Sequence, residues 1–177
     1  MKSGMAKHSE RAESRTGILV VVPCGRRKVW DKRPDYGPAL ARDAYISPTF
    51  ALNRAYAERF GDQWVILSAK YGFIDPDVTI PEPYNVTFKN RATHPISVDR
   101  LQQQVHEQGL GCYETVIGLG FRSYREIIEA SFAGLRAELC FPFSGLPIGK
   151  YMQAVKRALD SGDPGSQRRT EKNLAGR

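Results

Sequence analysis

The sequence predicts an α/β fold, a three-layer sandwich around a mostly parallel four-stranded sheet. Three observations predict it. Apolar runs of strand length alternate with segments of helical spacing four times over. The first run, residues 18–23, is continuously apolar, as expected of a strand covered on both faces. The chain has 177 residues, 41% of them apolar, which is enough for one core of this kind.

The elements follow in order. Residues 18–23 form the first strand. Pro48–Phe60 sets Phe50, Leu52, Ala55, Tyr56 and Phe60 near helical spacing, with Ser47 as N-cap. Residues 64–68 are a second strand. Residues 70–95, rich in Pro and aromatic side chains, read as one long loop. Residues 97–108 are a helix capped by Ser97 and stopped by Gly109. Residues 114–119 form a third strand, 122–132 a helix, 137–141 a fourth strand and 148–159 a last helix. The expected domain is 18–160, between disordered basic tails at 1–17 and 161–177.

Composition excludes several classes. The longest aliphatic run is Ile18 to Val22, well short of the roughly 20 residues of a membrane span. Met1 to Gly17 are polar and charged, with no apolar signal core. Cys24, Cys112 and Cys140 are odd in number and form no CxxC pair, so neither a disulfide framework nor a Cys/His zinc site is expected. His94 and His106 lack ligand spacing, and Asp75 with Asp77 is a weak cation site. The expectation is a cytoplasmic monomer without metal or cofactor.

The net charge is +7. The two tails contribute +2 each and the body +3. A basic chain suits an anionic partner such as nucleic acid. A solubilising role for the tails explains the same numbers.

Ligands of parallel sheets bind beyond the strand carboxyl ends. Four strands end there, at Pro23-Cys24-Gly25, Ser68-Ala69-Lys70-Tyr71-Gly72, Gly118-Leu119-Gly120 and Phe143-Ser144-Gly145, and Asp43–Ser47 is a further candidate segment. Pro23-Cys24-Gly25-Arg26-Arg27-Lys28 is a turn able to aim N–H groups and three cations at phosphate, or simply a solvated basic turn. Cys24 reads as a small buried thiol rather than a nucleophile. Asp43-Ala44-Tyr45-Ile46-Ser47 offers Tyr45 for stacking or for covering the sheet. Ser68-Ala69-Lys70-Tyr71-Gly72 continues into Asp75, Asp77, Glu82, Tyr84 and Asn85. Glycosidic-bond cleavage uses such an inventory: a carboxylate for the oxocarbenium ion or water, aromatics for a flipped base, an amide for its edge. A Pro-stiffened lid explains the same residues. Ser144-Gly145 sits at a strand-to-helix junction where a substrate could approach the backbone.

Pro23-Cys24-x3-Lys28 with Tyr45-x-Ser47 resembles the Pro-Cys-x3-Lys and Tyr-x2-Ser signature of the archaeosine synthase core domain. Here sixteen residues separate Lys28 from Tyr45, and no His follows. Ser68-Ala69-Lys70-Tyr71-Gly72 with Pro83-Tyr84 is similar to the Ser-Gly-x-Tyr-Gly and Pro-Tyr signatures of the YaaA peroxide-stress family. Across residues 18–160 the pattern resembles a bacterial family of unknown-function domains of the DUF6884 type. The two better-known relatives resemble uracil-DNA glycosylases in fold, which implies a site at the strand carboxyl ends. Glu82-Pro83-Tyr84 echoes the acid-Pro-Tyr motif of those enzymes, but after the second strand instead of the first.

The resemblance implies a DNA glycosylase acting on a bulky modified cytosine, flipped out of double-stranded phage DNA, in anti-phage defence. In that expectation Asp77 stabilises the cationic sugar or positions water, and Asn85 orients the base. Tyr71 and Tyr84 wall the pocket. Arg26, Lys28 and Lys70 hold phosphate, with Lys70 as an alternative nucleophile. Cys24, Tyr45, Ser47, Ser68, Ser144 and Gly145 complete the substrate-binding set. A non-catalytic DNA-binding stress protein and an enzyme of free nucleosides are the competing expectations.

Overall fold

The computed structural model describes residues 15–165. The outer parts of the two expected tails, 1–14 and 166–177, lie outside them. β1 (Arg15–Pro23) is the first element. Helix α1 (Val29–Lys32), strand β2 (Ala39–Leu40) and helix α2 (Ala41–Ala44) follow as three short pieces. Helix α3 (Pro48–Phe60) leads into β3 (Gln63–Ser68). β4 (Gly72–Ile74) and β5 (Thr79–Ile80) come next, then a 3-10 turn at Arg91–Thr93. Helix α4 (Val98–Glu107) and a second 3-10 turn, Leu110–Cys112, lead to β6 (Tyr113–Gly118). Helix α5 (Arg122–Ser131), β7 (Glu138–Cys140) and helix α6 (Ile148–Ser161) complete the order.

The main sheet has the order β4-β3-β1-β6-β7. β1 lies parallel to β3 and to β6, and β6 lies parallel to β7. β4 runs antiparallel to β3. The sheet is therefore mixed and five-stranded, not four-stranded. The added strand is three residues long, too short for any periodicity to mark it inside residues 70–95. It is an edge strand, and α4 covers its free polar groups. The Phe73 N–H donates to Gln104 Oε1 at 2.9 Å, and Gln108 Nε2 donates to the Phe73 carbonyl at 3.0 Å.

β1 explains the layering. Its side chains alternate between two cores, and Leu19, Val20, Val21 and Val22 are all fully buried. Val20 and Val22 pack with Phe50 and Tyr56 of α3 and Tyr151 and Val155 of α6. Leu19 and Val21 pack with Leu101 and Val105 of α4 and Ile128 of α5. Each such aliphatic burial contributes about 1.5–3 kcal/mol. The helix starts are set by hydroxyl caps. Ser47 Oγ accepts the Phe50 N–H and Ser97 Oγ accepts the Arg100 N–H, both at 3.2 Å.

The body reaches past both expected boundaries. β1 includes Arg15, paired with Tyr113. Tyr56 donates to the Pro164 carbonyl at 2.6 Å, which ties down the chain beyond α6. Among the described residues no helix is long and apolar enough to cross a membrane.

The candidate cleft at the strand carboxyl ends

The carboxyl ends of β1 and β6 open on a cleft of about 500 Å³. That size lies within the roughly 300–1,000 Å³ common for ligand pockets. The turn after β1 contributes Cys24, Arg26 and Lys28. The first turns of α3 contribute Ser47, Thr49, Phe50 and Asn53. Gly120 and Phe121 enter from the end of β6, and Tyr124 from α5. Asn85, Thr87 and Lys89 come from the segment between β5 and α4. That segment is held in place. Phe88 packs edge-on to Tyr124 at 5.9 Å, and Thr93 Oγ1 accepts the Thr87 N–H at 3.0 Å.

Close approach of two turns shapes the floor. Gly120 has φ +100, and a Cβ there would lie 2.4 Å from Pro23 Cγ. Only glycine combines that backbone with that contact. Two helices, α3 and α5, begin at the cleft. α5 has no side-chain cap, so its first N–H groups present partial positive charge. Arg26, Lys28 and Lys89 add full charges, and none of the described lining residues is a carboxylate. The described lining of the cleft is cationic.

Behind it lies a buried polar chain. Ser68 Oγ accepts the N–H groups of Lys70 and Tyr71, both at 3.2 Å. It lies 2.8 Å from the Tyr84 hydroxyl, which lies 2.5 Å from that of Tyr45. Burial pushes the phenols of Tyr45, Tyr84 and Tyr124 well above the ordinary value, so all three stay neutral. Burial likewise raises the Cys24 thiol, whose Sγ lies 3.5 Å from the Tyr124 hydroxyl. It remains a thiol at neutral pH and a poor nucleophile.

Lys28 differs from every other charged residue described. It is the one buried, at 9% exposure. Its Nζ donates to the Arg26 carbonyl at 3.4 Å and stands 4.4 Å from the centre of the Tyr84 ring. Burial pulls its ammonium below the ordinary lysine value, and the neighbouring Cys24 and Asp31 only partly oppose this.

The expected site residues separate into groups. Cys24, Arg26, Lys28, Ser47 and Asn85 line the cleft, with Tyr45, Ser68 and Tyr84 behind. Lys28 and Tyr45, with sixteen residues between them, meet in an antiparallel bridge. Lys70 does not line the cleft. Its Nζ lies 4.0 Å from Glu82 and 5.4 Å from the Tyr84 ring centre. Tyr71 packs edge-on to Tyr84 but lines a different cavity, beside β4. Ser144 and Gly145 form the turn after β7 and line neither cavity. Asp77 also stands apart. Its exposed carboxylate pairs with the Arg42 guanidinium. Asp77→Asn is therefore expected to cost no more than about 1 kcal/mol in thermal unfolding, and to leave nucleic-acid affinity unchanged in a titration.

Asn53, Thr49, Thr87, Lys89, Phe121 and Tyr124 escape the sequence reading. Asn53 had a signal. It is an amide on the helix face that Phe50, Tyr56 and Ala57 bury, and buried amides need partners.

A family of unknown function, DUF6884, matches residues 19–157, which include every residue of the cleft. The chain belongs to the DUF6884 family. An uncharacterized protein of Bacillus subtilis (strain 168), YfjM, is 40% identical to this DUF6884 chain over 143 residues. The alignment covers 80% of this chain and 95% of YfjM. No solved structure matches the chain.

Proposed function

We propose that this DUF6884 domain excises a modified base from DNA, with the Lys28 amine attacking the sugar. One observation carries the reading: a buried amine of lowered basicity faces a cationic cleft whose described lining holds no carboxylate. A glycosylase that lacks a carboxylate at the sugar needs another nucleophile, and a desolvated lysine supplies one. The substrate, a bulky modified cytosine such as glucosylated hydroxymethylcytosine, comes from the resemblance. So do the uracil-DNA glycosylase-like arrangement and the place in anti-phage defence.

In this reading Arg26, Lys89 and the N-terminal turns of α3 and α5 hold the phosphates on either side of the target. The flipped base lies against Phe121 and Tyr124, with Asn85 at its edge. The lone pair of Lys28 Nζ forms a bond to C1′ of the deoxyribose. The bond from C1′ to the base breaks, and its electron pair leaves with the base, which takes a proton from solvent. The nitrogen sheds a proton, its lone pair forms the C1′=N bond, and the C1′–O4′ bond breaks with its electron pair going to O4′, which takes a proton, so the opened sugar is held as an imine. Water hydrolyses the imine to an abasic sugar and restores Lys28.

The test incubates the protein with glucosylated phage DNA and with unmodified DNA. Mass spectrometry follows released base, and an aldehyde-reactive probe follows abasic sites. Base released from the modified DNA supports the proposal. A second reading, DNA binding without catalysis, is favoured by the same lack of carboxylates. It predicts intact DNA in both tubes, with saturable, salt-sensitive binding.

A further inference from the structure

We infer that Asn53 reads the base alongside Asn85, by donating from its amide nitrogen to a carbonyl oxygen of a pyrimidine. The inference rests on the same cleft as the proposed function, but not on its chemistry.

Asn53 is 2% exposed, yet it lines the cleft. Its orientation is fixed from behind. The Gly120 N–H donates to the Tyr151 hydroxyl oxygen at 2.8 Å. That hydroxyl in turn donates to Asn53 Oδ1 at 2.9 Å. Burial pushes the Tyr151 phenol up to about 12, so it keeps the proton it donates. Turned over, the amide would leave the Tyr151 hydroxyl proton without this acceptor. Its carbonyl side is thus used up, and its NH2 side is left for the cleft. No described residue accepts from Nδ2. Nδ2 is not an orphaned buried atom, so it reaches the open space of the cleft, where a ligand oxygen can accept from it. The arrangement is rigid because all three groups belong to separate packed elements: the end of β6, α6 and α3.

The acceptor belongs to a base more readily than to phosphate. Asn53 lies in the second turn of α3, beyond Ser47, Thr49 and Phe50. Phosphate is served at the helix start and by Arg26 and Lys89. A neutral NH2 group deeper in, beside Phe50, suits a flat ring with a carbonyl edge. A base that presents an amino group at that point would set donor against donor and be rejected.

The experiment is an NMR titration of the full chain labelled with 15N. Deoxycytidine and inorganic phosphate are the two probes. Deoxycytidine is expected to shift the Asn53 side-chain NH2 signals saturably, and phosphate to leave them unmoved. Asn53→Asp, which turns the donor into an acceptor at equal volume, is expected to bind deoxycytidine at least tenfold more weakly at pH 8. Should that variant fail to fold, Tyr151→Phe serves instead. It keeps Asn53 but frees it to flip, and at least a threefold loss is expected. An unmoved Asn53 signal, a shift with phosphate alone, or unchanged affinity in the folded variant would overturn the inference. A shifted Asn53 signal together with intact modified DNA would overturn only the excision chemistry.

Discussion

Lys28→Ala is expected to lower base release from glucosylated DNA by about 10³-fold or more, since it removes the nucleophile. Lys28→Arg separates chemistry from charge. A guanidinium keeps the cation but does not deprotonate. That variant should bind DNA nearly as well as the wild type and release no base. The wild-type rate should rise with pH. The amine attacks only when neutral, and burial lowers the pH at which it becomes so. The rise is therefore expected below the ordinary lysine value of about 10.4. The sign for stability is the same. The unfolded chain holds this proton more tightly, so the contribution of Lys28 to stability grows as pH rises from its lowered value towards about 10.4. Base-release rates of the wild type, and thermal unfolding of the wild type and Lys28→Arg, measured from pH 6 to pH 10, check the two statements.

Gly120→Ala is expected to be the most damaging single-carbon change at the cleft. At φ +100 the backbone disfavours any side chain, and the new Cβ would meet Pro23 Cγ at 2.4 Å. The proline ring has little room to swing aside, because Pro23 is buried at the end of β1 and paired with Leu67 of β3. Backbone strain and overpacking together cost about 2–4 kcal/mol. For a chain of this size that lowers Tm by about 5–15 °C. Gly145→Ala is the control. It has φ +83, but nothing lies within 4 Å of the added carbon. Only the backbone term remains, about 1 kcal/mol. Thermal unfolding of the pair measures the steric part by difference.

These two residues also show what the sequence reveals. The turn Pro23 to Lys28 is legible because a continuously apolar run ends there, and parallel sheets place ligands beyond such ends. Pro48–Phe60 is legible to the residue, because Ser47, Pro48 and the spacing of Phe50 and Tyr56 agree. The three short pieces at 29–44 are not. No local pattern says that a chain leaving at Lys28 returns to pair with it at Tyr45.

Residues 70–95 mislead for a related reason. Lysine, tyrosines, carboxylates and an amide stand close in sequence, which suggests one site. The chain separates them. β5 pairs with β2, Ala39 opposite Ile80, and the Ala41 N–H donates to the Val78 carbonyl at 2.8 Å. That pairing carries Asp77 to Arg42 and leaves Asn85 to return to the cleft. Asn53 is hidden for the opposite reason. Its partners, Tyr151 and Gly120, are far along the chain, and nothing near it in sequence announces them.

The most direct test of the account is a borohydride trap. Sodium borohydride reduces an imine between a lysine and the opened sugar to a stable amine. The protein would be incubated with glucosylated DNA and reductant, digested, and the adduct located by mass spectrometry. A sugar adduct is expected on the peptide that contains Lys28, absent with unmodified DNA. Base release without any adduct, or an adduct on Lys70, would contradict it.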